Sequence, residues 1–404
     1  MHRLSTPGQV RRDIFLDVSR LVWRRWRGGL PTGIDRVCLA YVEHFGNRSR
    51  AVVQRRGQQF IFDAARSVQL FDLFRRGPKG FRSGFAALAA RALLSGNGRP
   101  SKPAQLYLNV GHTGLDEPSL PRWVEQSGFR AVYFIHDLIP LTHPQYCRPG
   151  EVDKHASRIE NVLASASGVI GNSQVTLDDL ATFATERRLP MPPTVVSFIA
   201  GPTVPANLEP ALLERPHFVT VGTIEGRKNH LMLLRIWERI ARKFGPRTPL
   251  LIMVGQRGWE ATDALAMLDR SNSLKDHVRE FRTCGDDELA NLIAGARALL
   301  MPSFAEGFGL PVAEALQLGT PVIASDLPVF REFAGDIPTY LDPSEESGWE
   351  RAIVSFAGDS VERQRQCEAM TSFTAPDWQS HFQTIDGWIE TLPQARCTPS
   401  TFRR

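Results

Sequence analysis

The sequence contains few cysteines, and their arrangement could neither staple a fold nor hold a metal ion. Its 404 residues include five cysteines, from Cys38 to Cys397, with no CxxC pair and no cluster of cysteine and histidine. This spacing excludes a disulfide-rich secreted scaffold and a cysteine-bound zinc site. We therefore expect free thiols in a cytoplasmic protein.

Long apolar runs are also missing. No stretch of 18 apolar residues is present, so we expect no membrane-spanning helix. The N-terminus, MHRLSTPGQVRRD, lacks the apolar segment of a signal peptide, and we expect none. The sequence contains no Walker A pattern, no GxGxxG and no repeat of about 20–50 residues, which excludes the P-loop, dinucleotide-fingerprint and solenoid classes.

The residues that are present fit a soluble protein of two domains. Hydrophobic residues make up 42% and charged residues 23%, as in ordinary globular proteins. A chain of 404 residues exceeds one ordinary core. The proline-rich passage at 190–216 reads as a linker, which predicts domains at 1–200 and 201–375. The net charge of +5 favours anionic partners, among them nucleotide diphosphates, lipid phosphates and nucleic acid.

The most informative stretch is 298–326, ALLMPSFAEGFGLPVAEALQLGTPVIASD. An apolar run of strand length leads into a loop. A helix is predicted to start at Pro311, because proline fixes φ at a helical value. Gly319 is predicted to end that helix, and a new strand follows at 321–324. The loop of such a unit lies at the carboxyl edge of a parallel sheet, where open α/β folds bind ligands.

Two carboxylates frame this loop, Glu306 within it and Glu314 in the predicted first turn of the helix. The unpaired N–H groups of a helix N-terminus suit a phosphate, and glycines let a backbone approach a ligand closely. A carboxylate beside a phosphate site is suited to accept hydrogen bonds from sugar hydroxyls. Alternatively, Glu314 only complements the helix dipole and EGFG is only a turn. The other candidate binding residues of the loop are Gly307, Phe308, Gly309 and Leu310.

A second candidate is the basic turn Arg227-Lys228, between the predicted strand 217–221 and the helix 231–244. Two cations beside the positive end of a helix conflict with its dipole unless an anion is bound there. The alternative is that both charges are solvated on a surface turn. We interpret this local conflict as evidence for an anion site.

The first domain offers two weaker candidates. The buried strand predicted at 131–135 delivers His136 and Asp137 to its carboxyl end, where catalytic groups collect. On residue type alone, a histidine that bonds to backbone is the stronger interpretation. Glycines 28, 29 and 33 lie between the first predicted strand, 13–18, and the helix 35–45, and could form a phosphate loop.

Taken together, these motifs resemble a known family. Glu306 and Glu314, in EGFGLPVAE followed by LGTPVIASD, resemble the E-x7-E signature of retaining glycosyltransferases of family 4, also called glycosyl transferases group 1. The bacterial polysaccharide mannosyltransferases of that family are the most similar kind. The segments GTIEGRKNH, HDLIPLTHP and TGIDRV, and the turn Asn172-Ser173, resemble the family in turn. The resemblance covers the second half strongly and the first half in patches.

The resemblance implies an α/β chain of the GT-B fold, with two facing Rossmann-like domains and a cleft between them. It further implies that the last helix, 376–392, crosses back onto the first domain, anchored by Trp378. In the family, the histidine at this position faces the transferred sugar, so the resemblance favours that role for His136 over the backbone-bonding interpretation. His143, in the same loop, is a less secure neighbour. Arg227 and Lys228 would hold the donor diphosphate, Glu314 the ribose and Glu306 the sugar hydroxyls. Gly33 would lie close to the diphosphate.

The implied function is a retaining, metal-independent transfer of a hexose. The donor would be a nucleotide-diphosphate sugar, GDP-mannose being favoured over a UDP-sugar by family analogy. The acceptor would be a glycan or a polyprenyl-diphosphate-linked glycan in surface polysaccharide synthesis. No cofactor, metal or nucleic acid is expected, and we assign Asp286 and Asp287 to a helix start rather than to a metal. The alternatives are a sugar phosphorylase of related fold and a non-catalytic binder of nucleotide sugars or nucleic acid.

The segment Arg20–Arg27, RLVWRRWR, interleaves arginines with Trp23 and Trp26. Tryptophan favours the headgroup layer of a bilayer and arginine is attracted to anionic lipid. This pattern predicts a peripheral contact with the inner face of a membrane. The alternative is that both tryptophans pack into the first domain and the arginines are merely solvated.

Overall fold

The computed structural model describes residues 13–29, 33–95 and 105–393. Within these ranges the chain builds two α/β units, each around its own sheet. The first sheet has the order β3-β2-β1-β4-β5-β6-β7, in which only β3 runs antiparallel to its neighbour. Its strands are β1 (Ile14–Asp17), β2 (Ser49–Arg55), β3 (Gln58–Ile61), β4 (Leu106–Asn109), β5 (Arg130–Ile135), β6 (Ala166–Gly171) and β7 (Thr194–Val196).

The helices of the first unit alternate with its strands, as parallel pairing requires. They are α1 (Ser19–Arg27), α2 (Gly33–Phe45), α3 (Ala64–Arg75), α4 (Phe81–Ser95), α5 (Leu120–Ser127), α6 (Ile139–Thr142), α7 (Glu151–Ser165) and α8 (Gln174–Glu186). The segment with alternating arginine and tryptophan is therefore a helix, α1. Gly28 ends it in a left-handed conformation, with φ +74°.

The second sheet is parallel throughout, with the order β10-β9-β8-β11-β12-β13. Its strands are β8 (His217–Val221), β9 (Leu250–Val254), β10 (Val278–Phe281), β11 (Leu299–Met301), β12 (Val322–Ser325) and β13 (Thr339–Leu341). The helices that follow are α9 (His230–Phe244), α10 (Thr262–Arg270), α11 (Asp286–Ala294), α12 (Leu310–Gln317), α13 (Pro328–Ala334), α14 (Glu346–Ala357), α15 (Val361–Met370) and α16 (Trp378–Thr391).

Both sheets are apolar on both faces because helices cover both faces. In the first sheet, Phe134 packs on one side while its neighbour Tyr133 packs on the other. In the second sheet, Phe218 and Val219 divide in the same way. Because the strands are parallel, their carboxyl ends share one edge of each sheet, and the loops that leave that edge carry the candidate residues.

The last helix, α16, packs on the first unit although it follows the second unit in the chain. Its Phe382 and Ile385 join the core that contains Tyr41. The Tyr41 hydroxyl lies 3.1 Å from His381 Nε2. Trp378 contacts the same core, with its ring stacked on Phe382 at 5.8 Å between centroids.

Several expectations need correction. The sequence of residues 350–369 predicts one helix, but the structure divides it between α14 and α15, because Gly358 ends the first and Ser360 caps the second by accepting from the Arg363 N–H. The passage at 190–216 is not only linker, since it contains β7. Residues 96–103, whose composition predicts a loop, and the residues after Pro393 lie outside the described residues.

Among the described residues, no helix combines the length and the apolar character needed to cross a bilayer.

Candidate active site

The carboxyl edges of the two sheets meet at Gly307. A Cβ on this glycine would lie 2.6 Å from the carbonyl oxygen of His136 and 3.0 Å from the Cβ of Asp137. Real Cβ atoms do not approach that closely, so only glycine lets the loop after β11 reach the loop after β5. The predicted candidates of the two domains are thus brought together.

Glu306 is the centre of a buried ion-pair cluster in this loop. Its carboxylate oxygens lie 2.5 Å from Lys228 Nζ and 3.1 Å from an Arg227 guanidinium nitrogen. The side chain of Glu306 is 7% exposed. Burial raises the pKa of Glu306, but the adjacent Lys228 and Arg227 outweigh it and bring the pKa down to about 2. Glu306 is therefore ionised at neutral pH.

This cluster also shows what surrounds the basic turn. Arg227 and Lys228 lie in a short 3-10 turn, Gly226–Lys228, immediately before α9. The anion that neutralises them here is a protein carboxylate, Glu306, and Glu225 adds a second contact to Arg227 at 2.7 Å. The two cations are partly buried rather than solvated on a surface turn. An incoming diphosphate would therefore meet cations that are already positioned and would compete with Glu306 for them.

The N-terminus of α12 is built close to the expected boundary. Gly309 precedes the helix with φ +103°, and a Cβ there would lie 2.3 Å from a ring carbon of Phe330. The Phe308 side chain packs away from the loop, 4.7 Å from the Phe333 ring between centroids. Phe308 can therefore offer a ligand its backbone N–H but not its ring. Leu310 opens the helix and contacts the region of Gly33, where a Cβ would lie 3.5 Å from Leu310 Cδ1.

Glu314 lies one turn inside α12, not in its first turn, which contains no acidic residue. The alternative that it serves the helix dipole therefore loses its basis, because that effect is confined to the terminal turn. Glu314 is 8% exposed and packs tightly on Gly201, where a Cβ would lie 2.8 Å from Glu314 Cγ. Burial raises the pKa of Glu314, and the nearby Arg36 opposes that effect.

Arg36 is a site residue that the sequence did not reveal. It projects from α2 of the first unit and contacts two carboxylates of the second, Glu314 at 3.4 Å and Asp286 at 2.5 Å. Arg36 belongs to the TGIDRV segment, but its partners are 278 and 250 positions away. Asp286 lies in the first turn of α11, as expected. No group of three or more His, Cys, Asp or Glu among the described residues could hold a metal ion.

His136 is held from two sides. Its Nε2 lies 2.8 Å from the Val110 carbonyl oxygen, which assigns the Nε2 proton, and its own carbonyl accepts a 2.8 Å bond from Asn172 Nδ2. The backbone-bonding interpretation is therefore right for one ring nitrogen. Burial lowers the pKa of His136 to about 4, so the imidazole is neutral at pH 7. Asn172 and Ser173 lie at the cleft, where Ser173 Oγ is 3.4 Å from the Gly307 carbonyl.

Asp137 completes the first unit's contribution. Its Oδ1 accepts a 3.2 Å bond from the Ile139 N–H. Burial raises the pKa of Asp137, and the charge of Arg227 opposes this. His143 lies outside this group and contacts Thr142 Oγ1 at 2.9 Å. The two units also share an aromatic contact that the sequence did not indicate. Tyr146 stacks on Phe304, with 5.2 Å between the ring centroids.

Comparison with known proteins places this geometry in context. A family model described as Glycosyl transferases group 1 matches residues 209–369. The chain is 29% identical over 314 residues to the serotype-specific mannosyltransferase WbdA of Escherichia coli, a match that covers 67% of this chain and 38% of WbdA. It is 30% identical over 226 residues to O-antigen chain mannosyltransferase B of Escherichia coli, covering 54% of this chain and 58% of that one. The two matches thus span less than two thirds of each relative's length.

Solved structures share the architecture. The Anabaena protein Alr3699/HepE, in complex with UDP and glucose, superposes with a TM-score of 0.64 at 16% identity, covering 94% of this chain and 99% of that one. Sucrose-phosphate synthase of Thermosynechococcus elongatus gives a TM-score of 0.60 at 15% identity, covering 94% and 98%. Both neighbours share the two-unit α/β architecture of this chain, and the predicted two-domain α/β fold of GT-B type is confirmed.

Proposed function

We propose, from the premise that residues 209–369 of this chain form a glycosyl transferases group 1 domain within a GT-B fold, that the protein transfers a hexose from a nucleotide-diphosphate sugar to a glycan. The observation that carries the proposal is the buried cluster of Lys228, Arg227 and Glu306. It lies beside the N-terminus of α12 and directly against the loop of His136. Anion-binding groups and sugar-binding carboxylates thus converge on one cleft.

Each residue has a role in this proposal. The diphosphate lies on the N–H groups at the start of α12, with Arg227 and Lys228 neutralising its charge. Glu306, partly released from the cations, accepts hydrogen bonds from the sugar, and Glu314 accepts them from the ribose. His136 presents its ring to the sugar from the first unit, and Asp137 supports that loop through its bond to Ile139. Gly33 leaves room for the donor beside Leu310.

The chemistry we propose proceeds with retention. The bond between the anomeric carbon and the diphosphate oxygen breaks while an acceptor hydroxyl attacks from the same face. The hydroxyl proton passes to the departing phosphate oxygen, and the negative charge that grows on the diphosphate is held by Lys228 and Arg227. No side chain forms a covalent bond to the sugar in this scheme.

The substrates are proposed from the relatives. Those named above are mannosyltransferases, one of them for the O-antigen chain, which supports mannose and therefore GDP-mannose ahead of a UDP-sugar. The acceptor is a glycan of a surface polysaccharide, carried on a polyprenyl diphosphate at the cytoplasmic face of the membrane. The matched family model favours this proposal over the sugar phosphorylase and over a non-catalytic binder of nucleotide sugars or nucleic acid.

The part of α1 that we propose contacts the membrane is smaller than the whole segment Arg20–Arg27 that the sequence indicated. Trp23 turns inward, where its Nε1 donates to the Gln54 carbonyl at 2.8 Å. Arg20 and Arg24 pair with Asp35. The outward part of α1 is formed by Trp26, which is 40% exposed, and Arg27.

The roles of the two glutamates can be separated by nucleotide binding. Glu314→Ala removes the acceptor of the ribose hydroxyls, and we expect it to weaken binding of the free nucleotide diphosphate by about 100-fold. Glu306→Gln should bind the nucleotide at least as tightly as wild type but turn over more slowly, because Glu306 meets the sugar. Titration calorimetry with GDP and UDP measures both. Equal losses of nucleotide affinity in the two variants would contradict this assignment.

Transfer should survive a chelator. In the proposed mechanism Lys228, Arg227 and the α12 N-terminus neutralise the diphosphate, so EDTA should leave turnover within about twofold of the untreated rate. The assay is product formation before and after exhaustive EDTA treatment. Complete loss that Mn²⁺ or Mg²⁺ restores would overturn the metal-free scheme and make Asp286 and Asp287 the candidate metal ligands.

A further inference from the structure

An apolar groove lies on the first unit, away from the ion-pair cluster. It runs between the β2–β3 hairpin and α4 and has a volume of about 570 Å³. Apolar side chains from α1, both strands of the hairpin and α4 form most of its wall, chiefly Trp23, Val53, Phe60, Phe62, Phe85 and Ala89. Trp23 is fixed there by its edge-on contact with Phe85, at 6.2 Å between centroids.

Arginines border one end of this groove. Arg55 and Arg56 line it and also line a second, adjoining pocket that contains Arg27. Arg56 and Gly57 form the two-residue turn of the hairpin, with φ of +50° and +73°, which is the geometry of a type I′ turn. The Arg55 guanidinium lies over the Trp23 ring, 5.3 Å from its centroid. The hairpin thus holds two consecutive exposed cations, Arg55 and Arg56, at one end of the apolar groove.

The adjoining pocket has a volume of about 410 Å³ and a different lining. Amide, hydroxyl and carboxylate groups line it beside Trp26, namely those of Gln54, Thr113, Asp116 and Glu117. Groups of this kind together with an indole ring are suited to a carbohydrate. Thr113 follows His112, whose ring lies 4.9 Å from the His136 ring between centroids. The polar pocket therefore opens at the same sheet edge as the candidate active site.

We propose that these two cavities form one site for a phosphate-bearing lipid, with the apolar groove taking the isoprenyl chain of the acceptor, Arg27, Arg55 and Arg56 its phosphates, and the polar pocket its first sugars. Apolar wall, cationic rim and polar pocket follow one another toward His136, in the same order as chain, diphosphate and glycan in such an acceptor. The identification of the ligand as an acceptor rests on the proposed function; the binding of an isoprenyl diphosphate does not.

The test uses farnesyl diphosphate, a soluble isoprenyl diphosphate, in titration calorimetry with the full chain. We expect saturable binding that inorganic pyrophosphate does not reproduce. The double variant Arg55→Ser, Arg56→Ser should weaken it at least about tenfold, the equivalent of one charge-assisted contact. Ala89→Trp, which fills the groove, should weaken it to a similar extent. Circular dichroism of each variant verifies that the protein is folded.

The chain offers a matched control in Arg187 and Arg188. This pair is also consecutive, exposed and on the first unit, and Arg188 also has a positive φ of 55°. Arg187→Ser, Arg188→Ser should leave farnesyl diphosphate binding unchanged. If Ala89→Trp proves unfolded, Ala92→Phe probes the same wall of the groove.

Three results would overturn the inference. The first is that farnesyl diphosphate binds no more tightly than pyrophosphate. The second is that the arginine and groove variants bind farnesyl diphosphate like wild type. The third is that the protein binds phosphatidylglycerol vesicles but not farnesyl diphosphate, which would make this face a membrane contact without a lipid site. A protein that binds farnesyl diphosphate as expected but neither binds nor turns over any nucleotide sugar would uphold the site and refute the proposed function.

Discussion

Replacing Lys228 with alanine is expected to lower kcat by about 10²–10³-fold while donor KM changes little. Removal of one preorganised group that stabilises charge in a transition state typically has an effect of this size. The negative charge on the diphosphate is larger in the transition state than in the bound donor, so a cation placed on it contributes mainly to kcat. Steady-state kinetics with the best donor from a nucleotide-sugar panel measures the effect.

Lys243→Ala is the matched control for Lys228→Ala. Lys243 lies at the other end of α9, with its ammonium over the Phe244 ring at 5.3 Å, and it should have no effect on turnover. A rise in KM alone in Lys228→Ala would show that the lysine binds donor and transition state equally. That outcome would remove it from the catalytic scheme.

Glu306→Gln is expected to destabilise the second unit by about 3 kcal/mol. The change removes the negative charge from a buried cluster and leaves Lys228, 13% exposed, without its partner. Breaking a buried ion pair from one side typically costs about 3–5 kcal/mol, because the remaining charge is uncompensated. Denaturant unfolding gives the free energy of unfolding. Saturating nucleotide diphosphate should recover part of the loss, since it supplies an anion to the same cations.

Glu346→Gln provides the comparison. Glu346 pairs with Arg239 at 2.7 Å but is 33% exposed, and loss of an exposed pair costs about 1 kcal/mol or less. Similar stabilities for the two variants, or no extra stabilisation of Glu306→Gln by nucleotide, would show that the cluster is not an anion site held by Glu306.

The strand, loop and helix around Glu306 could be predicted because the local signals agree. Pro311 and Gly319 mark the helix ends, and α12 spans Leu310–Gln317. The prediction that Glu314 lies in the first turn was wrong, because Gly309, with its positive φ, lets the helix begin at Leu310 rather than at Pro311. This difference of one residue puts Glu314 just beyond the first turn, where its side chain packs on Gly201 and contacts Arg36.

Contacts between distant segments could not be predicted. The Arg36 pairing with Glu314 depends on how two sheets are juxtaposed, and no local pattern encodes that. The same holds for Glu306, whose partner Lys228 is 78 positions away; both residues were candidates, but their ion pair was not foreseen. The break between α14 and α15 could have been found, because Gly358 and Ser360 are ordinary stop and cap signals.

The most direct test of the central claim, that this cleft breaks the sugar–diphosphate bond of a nucleotide sugar with retention, is real-time proton NMR. The enzyme is incubated with GDP-mannose or with each of several UDP-hexoses and a glycan acceptor. We predict that one donor releases its nucleotide diphosphate and that the transferred sugar appears first with the anomeric configuration of the donor. Release of diphosphate from none of them, or first appearance of the inverted anomer, would contradict the account.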